Sequence, residues 1–564
     1  MRFNINVAIL IFSASLSGCN GSSNGGDGTD TGTGLKAAII EAHYEQPKTL
    51  TFRWSDVSGA TYYQLFENSD GHSGFEPVGN PITPKTEYTE LVVPLFKRIN
   101  AQYLLQTCDD QRCIDSETVA IDQEVIGSIG YFKPSNTDAG DQFGWDLAIS
   151  DDGNLLAVSA PSEDSGGDQE DNLTSDSGAV YVFSREDGEW AQQAYLKAPD
   201  PQGAAQFGTA LSLSDDGNTL AIGAFKENGE KDNFAAGAVH IFSRSNEGWV
   251  HSTRLQADNQ GNDDLFGHAL SLSGDGSTLA VTAPNEDGGI DGESGDDIED
   301  SGAVYMFRNE EGVWSQYAYI KATDSSAGLG FGASISLDDA GASLAVGAYA
   351  DNAGAGSVYL YQLDGDSWVE DSKISASNAF AGDRFGFSLN LSGNGKTLAV
   401  GAPLQDGSNE NHDDQNGYDN GAVYIFSRNE NSWQQTAYLK AANTDANDMF
   451  GEVLKLSDDG SLIAVGAMRE DSSSQGFFGD NTDSSSIRSG AVYTYIFNGI
   501  DWSSEAYIKA SNTDSGDYFG ASIALSGDDA SLAVGATGEE GADSGLLASP
   551  ESNEADFAGA VYMY

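Results

Sequence analysis

Short apolar segments joined by Asp-Gly turns recur along most of the chain, and residues 207–224 show the unit clearly. The segment FGTALSLSDDGNTLAIGA is typical of two apolar strands connected by a tight turn. A Gly-Ala-Val-Tyr-like strand, a Trp and an Ala-Tyr-Leu-Lys-Ala-like strand then follow in a fixed order before the next Phe-Gly pair. The pair returns at Phe143, Phe207, Phe266, Phe331, Phe385, Phe450 and Phe519. The repeat therefore predicts seven small four-stranded sheets.

The strand after each turn is apolar on both of its faces. Leu155–Pro161 (LLAVSAP) and Leu398–Pro403 (LAVGAP) show no clean alternation, as expected where both faces of a sheet are covered by neighbouring sheets. Gly in the Asp-Gly turns supplies positive backbone angles without steric cost, and the simplest role of the preceding Asp is that of a turn residue. This pattern predicts the packing of a β-propeller.

The same residues carry a family resemblance. Phe143-Gly144 with Ala160-Pro161, and Phe385-Gly386 with Gly401-Ala402-Pro403, are similar to the FG-GAP repeats of the integrin alpha-chain β-propeller. The likeness covers roughly residues 129–564 and gains its strength from sevenfold repetition. It implies an all-β chain with a seven-bladed propeller, which we assign to residues 126–564. The short turns, such as residues 214–218, lack the run of spaced Asp that the family's calcium loop carries.

The end of the chain indicates how the ring closes. The seventh repeat stops at Gly559–Tyr564 and lacks both the Trp and the outer strand of the other repeats. Ile129–Pro134 (IGYFKP) precedes the first Phe-Gly pair at the place where other repeats have their outer strand. We therefore predict that this N-terminal strand completes the last blade and removes a free edge. A Lys also recurs on the outer strands, at a position we expect to be a solvated edge: Lys197, Lys321, Lys440 and Lys509.

Strand order sorts the loops between the two faces of the ring. With the Phe-Gly strand innermost, the short turns lie on one face and the long loops on the other. The long loops are acidic: Ser162–Ser177 holds six acids, Asn285–Ser301 eight and Thr537–Ala558 six. Because long loops on a rigid scaffold usually carry binding sites, we expect a protein or glycan partner on this acidic face.

The acidic loops also suggest a binding site for a metal ion. The eight acids of Asn285–Ser301 repel one another unless a cation or solvent screens them, and oxygen-rich loops suit Ca²⁺. We predict weak calcium binding by Asp287, Asp291, Asp296, Asp297 or Asp300. The alternative is that the acidity serves solubility alone.

The N-terminus has the features of an export signal. Arg2 precedes a short apolar run, Val7–Phe12, and Leu16-Ser17-Gly18-Cys19 resembles the lipobox of bacterial lipoproteins. The resemblance implies a signal peptide over residues 1–19, lipidation of Cys19, and outer-membrane sorting, since Asn20 is not the Asp that marks inner-membrane retention. Membrane contact is then expected through the lipid only. The alternative is ordinary secretion with a free Cys.

Residues 20–35 lack large side chains before Leu35 and are expected to form a flexible linker. Residues 36–125 contain strand-like segments separated by turns, and Trp54, Tyr62-Tyr63 and Tyr103 resemble the pattern of a fibronectin type III β-sandwich. The spacing of Cys108 and Cys113 suits a disulfide across a hairpin. A metal site there would need further Cys or His nearby.

The net charge and the motif content narrow the range of possible functions. The 564 residues carry 87 acids against 26 Lys and Arg, a net charge of −61 that repels phosphate backbones, so nucleic acid is not an expected partner. The six His are scattered without ligand spacing, and no catalytic motif stands out. His268 follows a Phe-Gly pair and is expected to be structural, since other repeats have no His at this position; the alternative is a role in the central channel. We predict a monomeric, non-catalytic display module for adhesion; the alternative is an extracytoplasmic hydrolase or lyase with a propeller body.

Overall fold

The structure is a computed structural model that describes residues 35–564, apart from residues 84–87, 122, 168, 170–171, 187, 230–232, 289–297, 408–417, 430–431, 478, 547 and 551. The predicted signal peptide, the lipidation site Cys19 and nearly all of the predicted linker lie outside the described residues. Within the described ranges, none of the helices has the length and hydropathy needed to span a membrane. The regular secondary structure of the described residues is almost all β-strand, as the repeat pattern predicts.

The N-terminal region folds into two sheets. Strands β1 (Ile40–Gln46), β2 (Thr49–Trp54) and β5 (Tyr88–Val92) form one; β3 (Tyr62–Asn68), β4 (Glu76–Ile82), β6 (Gln102–Cys108), β7 (Cys113–Asp115) and β8 (Val119–Ala120) form the other. Aromatic side chains join the two faces, since the rings of Phe52 and Tyr103 lie 4.7 Å apart and those of Trp54 and Tyr63 5.4 Å apart. The predicted disulfide between Cys108 and Cys113 is present. The fibronectin type III likeness stays a prediction.

The remaining strands form seven four-stranded sheets among the described residues, here called blades 1 to 7, each listed from its innermost strand outwards. Blade 1 contains β10 (Leu147–Ile149), β11 (Leu155–Ala160), β12 (Ala179–Glu186) and β13 (Glu189–Leu196). Blade 2 contains β14 (Leu211–Leu213), β15 (Thr219–Ala224), β16 (Ala238–Ser245) and β17 (Gly248–Leu255). Blade 3 contains β18 (Leu270–Leu272), β19 (Thr278–Ala283), β20 (Ala303–Glu310) and β21 (Val313–Ile320).

Blade 4 contains β22 (Phe331–Leu337), β23 (Ser343–Ala348), β24 (Ser357–Asp364) and β25 (Ser367–Ile374). Blade 5 contains β26 (Ser388–Leu391), β27 (Thr397–Ala402), β28 (Ala422–Asn429) and β29 (Ser432–Leu439). Blade 6 contains β30 (Val453–Leu456), β31 (Leu462–Ala467), β32 (Ala491–Phe497) and β33 (Trp502–Ile508). Blade 7 contains β34 (Phe519–Leu525), β35 (Leu532–Ala536), β36 (Ala560–Met563) and β9 (Gly130–Phe132). The described helical segments are short: Leu95–Lys97, Gln123–Ser128 and Asp351–Gly354.

The ring closes through the N-terminal strand, as predicted. Strand β9 pairs antiparallel with β36, and Tyr131 lies opposite Tyr562. Each innermost strand contacts the innermost strands of its two neighbours, and β34 contacts β10. Blade 7 is therefore assembled from both ends of the propeller sequence, which fastens the first and last repeats together.

The Phe-Gly pair is explained by the contact between adjacent blades. The side chains of all seven Phe are fully buried. The backbone of Phe266 runs beside Gly237 of the preceding blade, and a Cβ added to Gly237 would lie only 2.0 Å from the Phe266 carbonyl oxygen. Gly356 and Phe385 repeat this contact. Gly237 directly precedes the third strand of its repeat, whereas Gly267 is the Gly of the pair; Gly267 has a φ of 92°, and a Cβ added to it would lie 2.7 Å from the Ala238 carbonyl oxygen. Both positions therefore favour Gly for a steric reason.

The recurring Lys on the outer strands is buried, so the expectation of a solvated edge was wrong. Lys321 and Lys509 are 7% and 0% exposed. The loop between the second and third strands folds over the outer strand and brings a carboxylate down to the Lys ammonium. Lys321 Nζ lies 2.6 Å from Glu286 Oε2, and the same pairing recurs at 2.7 to 2.9 Å in Lys509–Glu470, Lys197–Glu163 and Lys133–Glu539.

A Tyr on the outer strand completes each of these pairs, which we call the blade clamps. Tyr319 donates to Glu286 at 2.9 Å, and Tyr131 donates to Glu539 at 2.8 Å. In blade 5 the carboxylate is replaced by Gln405, whose side-chain oxygen accepts from Lys440 Nζ at 3.1 Å. Each clamp anchors the base of a long loop, so the first acid of that loop is buried and paired rather than exposed.

The N-terminal sheets rest on the short-turn face of the propeller. Lys48 Nζ donates to Ser531 Oγ at 2.6 Å and to the Ala530 carbonyl at 2.5 Å, both in the turn between β34 and β35. Lys97 lies 3.4 Å from Asp529 in the same turn. Burial lowers the pKa of Lys48 to about 7. The long loops therefore project from the opposite face.

Candidate ligand-binding mouth of the propeller

The centre of the long-loop face is lined by two positions from each blade. One is the residue directly after Phe-Gly, and the other is the residue directly after the second strand. Side chains from adjacent blades meet there: the rings of Phe225 and His268 lie 5.9 Å apart, and those of Tyr349 and Phe387 lie 5.7 Å apart. We call this central region the mouth.

The mouth positions differ from repeat to repeat, although the framework around them does not. The residues after Phe-Gly are Trp145, Thr209, His268, Ala333, Phe387, Glu452 and Ala521. The residues after the second strand are Pro161, Phe225, Pro284, Tyr349, Pro403, Met468 and Thr537. Because the blades form equally well with any of these side chains, the blade fold itself does not require them. They are free to serve a ligand.

A cavity of about 440 Å³ opens in one sector of the mouth. This volume lies within the usual range for small-molecule pockets. We call it the mouth pocket, and blades 1, 5, 6 and 7 supply its lining: Gln142, Trp145, Phe387, Glu452, Val453, Met468, Tyr518, Ala521, Thr537 and Phe557. Trp145 and Phe557 are 42% and 46% exposed, which is unusual for aromatic side chains of a rigid scaffold. The pocket therefore presents aromatic surface to solvent.

Polar groups beside these rings lack hydrogen bonds among the described residues. Glu452 Oε2 and Arg469 Nε are both buried without a partner. Burial raises the pKa of Glu452, while the charges of Arg469 and then Arg384 oppose that rise. Arg384 is held over the ring of Tyr349, 5.5 Å from its centroid. One acceptor of the pocket lining, Glu452 Oε2, thus remains available, and one donor, Arg469 Nε, follows Met468 of the lining in the chain.

Strained backbone holds the pocket in shape. Gln142, Tyr518 and Phe557 have φ angles of 58°, 54° and 56°, in the left-handed region that side-chain-bearing residues rarely adopt. Hydrogen bonds fix these conformations, since the amide of Gln142 donates to the carbonyl of Phe557 at 3.0 Å and that of Tyr518 donates to Arg488 at 3.1 Å. Such strain persists only where the surroundings determine it, so the pocket is pre-formed.

The predicted calcium ligands are only partly covered by the described residues. Asp291, Asp296 and Asp297 lie outside them. Asp287 Oδ1 accepts the backbone N–H of Asp300 at 2.7 Å, which brings these two predicted ligands together through a loop contact. The same contact joins Asp164 to Asp176, Asp406 to Asp419 and Asp471 to Arg488 in other blades. Asp287 thus has a structural role.

The described residues do not form a metal-binding site. No group of three or more His, Cys, Asp or Glu in the described ranges could hold a metal ion. Weak calcium binding by residues 285–301 stays a prediction.

Sequence reasoning missed a cluster on the outer strands of blade 2. His240 Nδ1 lies 3.1 Å from His251 Nε2, and His240 Nε2 lies 2.8 Å from Glu227 Oε2. Arg254 Nε also reaches Glu227, at 2.5 Å, and the four side chains line a cavity of about 340 Å³. His240 stands where blade 1 has Tyr181, opposite Arg254, where blade 1 has Tyr195. Alignment of the repeats would have revealed this departure.

Electrostatics in that cluster favour a charged carboxylate. Burial acts to raise the pKa of Glu227, but hydrogen bonds from His240 and Arg254 hold it below its ordinary value. Burial, followed by the charge of His240, lowers the pKa of His251. His268 lies at the mouth, where Nδ1 is buried without a partner among the described residues, and its structural role stays a prediction.

Sequence comparison finds FG-GAP repeats in this chain. The repeat model matches residues 130–183, 190–242, 314–361, 368–426 and 502–564. No curated protein matches the chain in sequence.

Solved structures with a similar fold include hydrazine synthase of Kuenenia stuttgartiensis, with a TM-score of 0.45 and 11% identity over 71% of this chain and 93% of that one. The WD40 repeats of RRP9 give a TM-score of 0.43 and 10% identity over 77% of this chain and 96% of that one. Likenesses at this level carry no argument about function.

Proposed function

We propose that this β-propeller of FG-GAP repeats is a non-catalytic binding module of the bacterial cell envelope, which presents the mouth pocket to a protein or glycan. One observation carries the proposal: Trp145 and Phe557 expose aromatic rings around a pre-formed cavity, on positions that the blade fold does not require. Rigid, exposed aromatic side chains provide large contact area at low entropic cost.

The placement of the N-terminal sheets supports a display role. They contact the short-turn face through Lys48 and Lys97, so the mouth opens on the opposite side. In our proposal Cys19 carries a lipid in the outer membrane, residues 20–35 act as a tether, and the fibronectin type III-like region at residues 36–125 is a spacer. The protein then acts as a monomeric adhesion lipoprotein whose ligand site faces away from the bilayer.

Binding is tested with the purified full chain on a glycan array and a panel of surface proteins, with and without Ca²⁺. Trp145→Ala and Phe557→Ala should lose binding because they remove the exposed rings. Ile500→Ala is the matched control, since Ile500 is 81% exposed in the turn between β32 and β33, on the short-turn face. Binding that survives both mouth variants would refute the site.

A hydrolase or lyase is the second candidate, and the cluster of His240, His251, Glu227 and Arg254 favours it. Paired imidazoles beside a buried carboxylate can move protons near neutral pH. Incubation with polysaccharides, followed by assays for new reducing ends and unsaturated products, tests this function. Activity that is lost in His251→Ala but kept in Trp145→Ala would favour an enzyme over a display module.

A further inference from the structure

We infer that the mouth pocket takes a neutral saccharide. The inference rests on the proposed binding function and names the ligand class of the same site. It follows from the combination of groups that Glu452 and the four aromatic side chains bring to one cavity, with Arg469 next to Met468 of the lining.

The two unpartnered polar groups have opposite hydrogen-bonding character. Glu452 Oε2 is an acceptor and Arg469 Nε is a donor, and both are buried without a partner among the described residues. Arg469 directly follows Met468 of the pocket lining, and its charge acts on Glu452. Unpaired buried groups of this kind are costly, so a ligand that satisfies both gains affinity.

Charged ligands satisfy only one of the two groups. A cation would pair with Glu452 but would be repelled by Arg469 and Arg384, which both act on this carboxylate. An anion would pair with Arg469 but would approach a chain of net charge −61, with Asp419 and Asp406 near the same arginines. A hydroxyl both donates and accepts, so adjacent hydroxyls of an uncharged sugar can satisfy the carboxylate and the guanidinium together.

The rest of the lining suits the apolar faces of a sugar ring. Trp145, Phe387, Tyr518 and Phe557 come from blades 1, 5 and 7, and Val453, Met468 and Ala521 fill the space between them. Aromatic rings pack well against the C–H groups on one face of a pyranose, while its hydroxyls point outwards to polar groups. Backbone strain at Gln142, Tyr518 and Phe557 keeps this surface pre-formed.

The test measures binding of the full chain to three probes: neutral oligosaccharides of glucose, mannose or galactose, uronic-acid oligosaccharides, and a Lys-rich peptide. Titration is followed by calorimetry and by the change in Trp fluorescence that is lost in Trp145→Ala, since the chain has eight Trp. We expect the neutral oligosaccharides to bind, and Trp145→Ala and Glu452→Ala to weaken that binding about tenfold or more, as for loss of a hydrogen bond to a charged group. Glu452→Gln should retain part of the affinity because the amide oxygen still accepts.

Glu370→Gln is the matched control. Glu370 Oε2 is also buried without a partner among the described residues, but it lies on β25, an outer strand. It should leave binding unchanged, and thermal unfolding of every variant checks that the propeller remains intact.

The outcomes separate this inference from the proposed function. Mouth-dependent binding of neutral oligosaccharides supports both. Mouth-dependent binding of only the acidic oligosaccharides or only the peptide overturns the saccharide inference and leaves the binding function standing. Binding that no mouth variant affects overturns both.

Discussion

Replacing Lys133 by Met should destabilise the propeller strongly, because Lys133 closes the clamp of blade 7. Its ammonium is fully buried and bonds to Glu539 Oε2 at 2.9 Å and to the Gly559 carbonyl at 2.6 Å. Removal of one partner leaves Glu539 as an uncompensated buried charge, to which Tyr131, the backbone N–H of Gly541 and the Asn512 amide still donate. Breaking a buried pair in this way typically costs about 3–5 kcal/mol.

Glu539→Gln should cost much less, because blade 5 already contains that arrangement. Gln405 accepts from Lys440 there, and Lys440 also donates to the Gly421 carbonyl at 2.5 Å. We expect a loss of about 1 kcal/mol, the size of one hydrogen bond. The double variant should be more stable than Lys133→Met alone, since the uncompensated charge is gone.

Urea unfolding of the full chain, monitored by Trp fluorescence and circular dichroism, measures these differences. The clamp joins the segment that follows β9 to the rest of blade 7. When unfolding is not two-state, an early transition localised to blade 7 therefore also reports loss of the clamp. If Lys133→Met and Glu539→Gln unfold at the same urea concentration as the parent chain, the clamp does not stabilise closure and the reasoning fails.

Three further predictions follow from the same geometry. Deletion of residues 126–136 removes β9 and should lower the melting temperature sharply, whereas deletion of residues 36–120 should not; equal melting temperatures for the parent and the β9 deletion would contradict the closing role. Burial, followed by repulsion from Glu163, raises the pKa of Asp141 to about 8, and burial also raises the pKa of Asp517 to about 8 and that of Asp448 to about 7. Because these groups hold their protons more tightly when folded, the stability they contribute is complete below about pH 4. It should fall as pH rises towards 8, and unfolding curves at pH 5 and 8 that show no decrease would count against it. On membrane-bound protein, Glu299→Cys should react with a thiol reagent more readily than Asp216→Cys, because the short-turn face lies towards the anchor; the reverse order would refute that orientation.

The architecture could be predicted because the same pattern of strands and turns recurs in seven repeats of the sequence. Seven Phe-Gly pairs fix the order of strands, and a strand missing after Tyr564 matches an extra strand before Phe143. The closure of blade 7 by Ile129–Pro134 followed from counting the strands in each repeat. A local pattern decides these features, so no knowledge of distant contacts was needed.

The buried clamps could not be predicted from the Lys positions taken singly. Lys321 is an ordinary edge residue by type, and its burial depends on Glu286, which lies 35 residues earlier in the chain at the base of a long loop. A signal existed in the repeats, because an acid or amide follows each second strand by a constant interval: Glu163, Glu227, Glu286, Asp351, Gln405, Glu470 and Glu539. A constant acid paired with a constant Lys indicates a partnership rather than a solvated edge.

The mouth residues show the opposite pattern, because they differ from repeat to repeat whereas the clamp residues recur. Together the two patterns explain how one face can be acidic and still present a specific binding pocket. Clamps hold the base of each long loop at its first acid, so that charge is neutralised where the loop meets the blade. Acids further along each loop are not part of these clamps, and the residue after each Phe-Gly pair differs from repeat to repeat. The clamps thus use positions that repeat, whereas Trp145 and Glu452, at positions that vary, line the mouth pocket. A ring of this design can acquire a new ligand by substitutions at the mouth alone, because the clamps and the backbone contacts of the Phe-Gly pairs do not involve the mouth side chains.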